Sequence, residues 1–171
     1  MRIKYKTYTM SLDDMPIDVG YASEKVSVKD KDGNSHILGG QNGKTQLIIT
    51  APFVDDSLLE ELQSIEKELP EGGEHEVTAS LVLAHDLKDD LNMGKIRLYI
   101  DDKEEFSDFY GVKLSGEPYG GELTKAIILI SKDGAVFYDD FKNDLEDKFN
   151  QETLMRKIYA AQTCYTGKGC H

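Results

Sequence analysis

Two cysteines stand near the end of the chain, Cys164 and Cys170, in the run TCYTGKGCH (163–171). Gly167 and Gly169 give the intervening segment enough freedom to close a small disulfide. Lys168 between the thiols lowers their pKa and favours a redox pair. Cys164, Cys170 and His171 also form a ligand set for a soft metal such as zinc. A third reading is a chain end with incidental cysteines. A c-type haem site requires C-x-x-C-H, and five residues separate these two cysteines.

A second set of chemically able residues is oxygen-rich. Asp55 and Asp56 open a predicted helix, His85 and Asp86 close a predicted strand, and Lys125 begins another. Carboxylates with one imidazole can hold a divalent cation, which makes Asp55, His85 and Asp86 candidate ligands together with His171 of the tail. The plainer reading is that the Asp pair caps a helix and His85–Asp86 is a solvated strand end. A helix N-terminus offers free N–H groups and partial positive charge. A cysteine in its first turn would be a redox centre with a depressed pKa. None is present here, nor anywhere between Met1 and Thr163.

The elements that must position these groups read as follows. Residues 2–10 alternate weakly and predict a strand. Lys25–Asp30 and His36–Leu38 flank an Asp-Gly turn and predict a hairpin. QLIIT (46–50) is a buried strand stopped by Pro52. Ser57 with Glu60 matches a capping box, with Asp56 an equally good cap, and Leu58, Leu59, Leu62, Ile65 and Leu69 recur at helical spacing. VTASLVLA (77–84) is a second central strand, and a one-turn helix is expected around 87–93. RLYI (97–100), a short helix at 103–110 stopped by Gly111, a Gly-rich loop, KAIILI (125–130), an antiparallel partner at 136–141 and a helix over 150–161 complete the chain.

This order predicts an α/β fold of the thioredoxin-like kind, with a central mixed β-sheet flanked by helices and an N-terminal β-hairpin extension. The expected organisation is one domain over 1–161 and a cysteine-containing tail over 162–171. The 171 residues are enough for one core. Thirty-two Asp and Glu against 20 Lys and Arg give a net charge of −12, which repels phosphate backbones and argues against nucleic-acid binding. No apolar run approaches the roughly 18 residues of a membrane span. The start, MRIKYKTYTM, is not followed by an apolar segment of the secretory type, so a cytoplasmic location is expected. In that reducing setting a structural disulfide is not expected.

Three stretches carry a family resemblance: QLIITAPFVDD, EEFSDFYGVKLSGEPYGGELTKAIILISKDG and the terminal helix. On them the chain resembles the thiol peroxidases, the atypical two-cysteine group of the peroxiredoxins, from the N-terminal hairpin to about Ile158. The resemblance implies a peroxiredoxin-type thioredoxin fold, a homodimer, a thioredoxin-like reductant and no cofactor. The family motif is a Pro, three residues, a Thr, two residues and the peroxidatic Cys, with an Arg before a later strand. Pro52 matches the Pro, Asp56 stands at the Thr position, Leu59 at the Cys position and Lys125 at the Arg position. No resolving Cys precedes Thr163 either.

A leucine cannot attack a peroxide O–O bond, so the resemblance implies the scaffold while the residues argue against the family's peroxidase mechanism. The expected function is therefore a binding or interaction scaffold. The alternative is a thiol oxidoreductase or peroxidase working through Cys164 and Cys170. An ion pair between Asp56 and Lys125 across the former active site is a further expectation.

Overall fold

The computed structural model describes residues 1–70, 76–88, 90–91 and 93–163. Residues 45–50 explain the architecture best. Strand β5 (Thr45–Thr50) is buried at all six positions, because it is hydrogen-bonded on both sides and covered on both faces. It pairs in parallel with β6 (Val77–Leu83) and antiparallel with β9 (Ala126–Ile130). A strand with two packed faces can be apolar almost throughout, as these are.

Around that centre lie β3 (Val26–Lys29), β4 (Ser35–Leu38), β7 (Ile96–Ile100) and β10 (Val136–Phe141). Together they make a seven-stranded mixed sheet in the order β10-β9-β5-β6-β7-β3-β4. A smaller sheet joins β1 (Arg2–Tyr5), β2 (Tyr8–Leu12) and β8 (Leu114–Ser115). The helices are α1 (Asp56–Glu68), α2 (Glu105–Tyr110) and α3 (Gln151–Thr163).

Alternation along the strands feeds two cores. Leu47 and Ile49 point to one face, where Leu58, Leu62 and Ile65 of α1 and Leu154 and Ile158 of α3 cover them. Ile48 points to the other, against Phe106 and Tyr110 of α2 and Val26, Val28 and Leu38 of the β3–β4 hairpin. Burying such side chains supplies roughly 1.5–3 kcal/mol each before entropic costs. The peroxiredoxin-type thioredoxin-like architecture read from the sequence is the one observed.

Four local expectations are corrected. Residues 2–10 form two strands rather than one, because the chain reverses at Lys6 with φ 52°, a turn without the usual Gly or Asn signal. The cap of α1 is Asp55 rather than Ser57 or Asp56. Its extended backbone aims the carboxylate at the Leu58 N–H, 2.8 Å away. No described residue between 86 and 93 is helical; the Asp86 carboxylate takes the Leu87 N–H at 2.8 Å, an alternative to helical bonding. The Gly-rich loop contains β8, which pairs with β2 through Ser11–Ser115 and Leu12–Leu114.

Strand β10 carries a titrating group. Burial, followed by the charges of Asp18 and Asp140, pushes the Asp139 carboxyl up to about 6 from its ordinary 3.8. The folded protein therefore holds this proton more tightly than the unfolded chain. The group's contribution to stability is full below about pH 4 and is lost as pH rises through about 6. Asp139→Asn should raise neutral-pH stability by about 1 kcal/mol, allowing for solvent screening of a half-exposed group. Urea midpoints of the two proteins should converge below pH 4 and separate above pH 6. A constant separation across that range contradicts the assignment.

Candidate active site

The carboxyl end of β5 delivers the chain into Ala51–Pro52 and then into the first turn of α1. Beside it, the Thr50 hydroxyl donates to the Thr124 carbonyl at 2.7 Å, pinning the approach to β9 against the end of β5. Lys125 is thereby held next to the α1 entrance. The two segments border a cavity of about 220 Å³ lined by Tyr5, Pro52, Phe53, Asp55, Ser57 and Lys125, among others. Tyr5 and Phe53 of the lining meet each other and Tyr119 edge-on or tilted, with ring centroids 4.9–5.6 Å apart. Burial, then the neighbouring Tyr5, pushes the Tyr119 phenol up to about 12.

Lys125 is almost wholly buried, and its ammonium is fully engaged. Nζ lies 2.7 Å from Glu61 Oε2 and 2.6 Å from the Asp147 carbonyl, and 5.0 Å from the centroid of the Phe149 ring. Glu61 Oε1 accepts the Phe149 N–H at 2.8 Å. The side chains of Lys125 and Glu61 are 7% and 9% exposed, so this is an ion pair removed from water. It fastens α1, β9 and the approach to α3 to one another.

The Asp56–Lys125 pair expected from the sequence is not formed. Asp56 is exposed on the first turn of α1, and Lys125 takes Glu61 instead. The reason is burial: a desolvated ammonium needs a desolvated partner. Sequence reasoning missed Glu61, yet a signal was present. Glu61 lies three residues after Leu58 and four before Ile65, on the stripe that α1 turns to the core. A carboxylate there requires a buried partner.

The other candidate residues are placed as follows. Leu59 is half-buried in the first turns of α1, while it is its neighbour Leu58 that borders the cavity. Asp55 spends one carboxylate oxygen on the α1 cap. His85 Nδ1 lies 2.8 Å from Glu122 Oε1, and Asp86 bonds locally to Leu87. Among the described residues, no three His, Cys, Asp or Glu side chains come together as metal ligands. Cys164, Cys170 and His171 lie outside the described residues.

No family model matches the chain. A thiol peroxidase of Aquifex aeolicus is 24% identical over 147 residues, covering 83% of this chain and 87% of that protein. The crystal structure of a peroxiredoxin-like protein from Aquifex aeolicus superposes with a TM-score of 0.80 at 22% identity, covering 94% of this chain and 96% of the other. The chain is similar to a thiol peroxidase in sequence and to a peroxiredoxin-like protein in fold. Thiol peroxidase from Chromobacterium violaceum gives a TM-score of 0.79 at 16% identity, covering 95% and 97% of the two chains. The described residues thus share the fold of these peroxiredoxin-like structures. No helix among its described residues is long and apolar enough to cross a membrane.

Proposed function

We propose that this thiol-peroxidase-like protein has a degenerate peroxidase site and acts as a binding or interaction scaffold. The observation that carries the reading is the side chain at the family's peroxidatic position. By the resemblance Leu59 takes that position, and residues 1–163 contain no cysteine. Without a thiolate, no nucleophile is available to attack the O–O bond. The surroundings support the same reading. The Asp55 carboxylate occupies the helix N–H group at the α1 entrance, and Glu61 neutralises the cation of Lys125. What remains is a small aromatic-walled cavity suited to holding a ligand or a partner's side chain. A homodimer belongs to this proposal.

The test is peroxide consumption by the pure protein with thioredoxin or a dithiol as reductant, run beside Cys164→Ser/Cys170→Ser. Neither protein should consume peroxide above the reductant background. Consumption by the wild type alone would overturn the proposal and move the chemistry to the tail thiols, with a thioredoxin-like protein as the reductant.

A further inference from the structure

The chain places an Asp or Asn directly before a glycine at three points: Asp32–Gly33, Asn42–Gly43 and Asp133–Gly134. At such a pair the glycine nitrogen can reach the side-chain carbonyl carbon of the residue before it, because no Cβ crowds the approach. The attack needs a nitrogen that is not spent on a hydrogen bond. On this point the three pairs differ. The Gly33 N–H donates to the Asp30 carbonyl at 3.1 Å, and the Gly134 N–H donates to the Ser131 carbonyl at 2.9 Å. The Gly43 N–H has no acceptor among the described residues. The electrophile differs too. An ionised carboxylate resists a nucleophile, whereas the amide of Asn42 is neutral and can release ammonia.

The Asn42 side chain is also set for the reaction. Its Oδ1 accepts the Lys44 N–H at 2.9 Å, which closes the side chain over Gly43. Attack at Cγ puts negative charge on that same oxygen, and a fixed N–H donor stabilises charge developing there. The loop is held at both ends. Gln46 accepts the Gly39 N–H at 2.9 Å and donates to the Gly40 carbonyl at 3.0 Å. Between these clamps Asn42 and Gly43 are exposed, and nothing lies within 4 Å of where a Gly43 Cβ would stand. Solvent base reaches the pair freely.

The other described asparagines lack these features. Asn150 spends its Oδ1 on the Thr153 N–H at the start of α3. Asn34 precedes Ser35 of β4 and Asn143 precedes Asp144, each with a side chain beside the nitrogen that would attack.

We propose that Asn42 is a self-modification site, which in the folded protein loses ammonia through attack by Gly43 and becomes aspartate or isoaspartate. The Gly43 nitrogen gives its proton to solvent base and forms a bond to Asn42 Cγ. The bond from Cγ to the amide nitrogen breaks, and that nitrogen leaves as ammonia. The cyclic succinimide then takes up one water. Opening at Cγ leaves aspartate in an ordinary main chain, and opening at the main-chain carbonyl carbon leaves isoaspartate. One water is consumed, one ammonia is released, and nothing is oxidised or reduced.

The test incubates the full-length protein at mildly alkaline pH beside the peptide GGQNGKTQ (39–46). Intact mass should rise by one dalton, with tandem spectra placing the gain at residue 42. A protein isoaspartyl methyltransferase should then transfer a labelled methyl group to the product. The rate should rise in proportion to hydroxide, and the folded protein should convert at least as fast as the peptide. Gly43→Ala should slow conversion by about tenfold or more, because a methyl group then crowds the nitrogen. Gly33→Ala places the same methyl at a similar φ, +83° against +77°, and should leave the rate unaltered. The proposal is overturned if Asn42 keeps its amide while the peptide converts, if another asparagine gains the acid first, or if Gly43→Ala converts as fast as the wild type.

Discussion

Lys125→Met should destabilise the protein by about 3–5 kcal/mol, the usual cost of stripping one partner from a buried ion pair. The substitution keeps the length of the side chain, so packing changes little. It leaves the Glu61 carboxylate buried with the Phe149 N–H as its remaining partner, and leaves the Asp147 carbonyl without its donor. Glu61→Gln should also destabilise, because the amide has one acceptor oxygen where the carboxylate uses two, Oε2 for Lys125 and Oε1 for Phe149. The double variant Lys125→Met/Glu61→Leu should recover most of the loss, since a desolvated pair contributes little net stability over apolar replacements. Urea unfolding of the wild type, Lys125→Met, Glu61→Leu and the double variant closes the double-mutant cycle. Additive losses in the two single variants and the double would mean that the two groups do not act as a pair.

Gly39→Ala should cost roughly 3–5 kcal/mol, large for the addition of one methyl group. Gly39 has φ +84°, a conformation that L side chains adopt only with strain. A Cβ there would also collide with the Tyr110 hydroxyl and the Glu24 carbonyl. Those two groups are hydrogen-bonded to each other at 2.9 Å, so the methyl would break a buried polar contact as well. Gly33→Ala makes the control, because Gly33 has a similar φ of +83° but open space around it. It should lose only the conformational part, about 1 kcal/mol. Equal losses at the two positions would show that the collision is relieved and that backbone strain alone is felt.

The layered fold was legible because period and punctuation agreed along most of the chain. Asp-Gly flanked by short alternating runs marked β3–β4, and Pro52 and Gly111 stopped the elements they should stop. The turn at Lys6 was not legible, since its positive φ is held by pairing between β1 and β2 rather than by a residue type that favours it. The candidate site was legible in what it lacks: the identity of Leu59 and the absence of cysteine before residue 164 are sequence facts. Its electrostatics were not. Asp56 is nearer the family position in sequence, but burial chose Glu61, and burial is a property of the assembled core.

The aromatic trio around the small cavity joins three distant parts of the chain: the end of β1, the segment before α1 and the Gly-rich loop. The protein contains no tryptophan. A single indole introduced at Phe53 would therefore glow against a dark background when excited beyond the tyrosine band. The fold thus provides a vacant spectroscopic channel beside the entrance of α1.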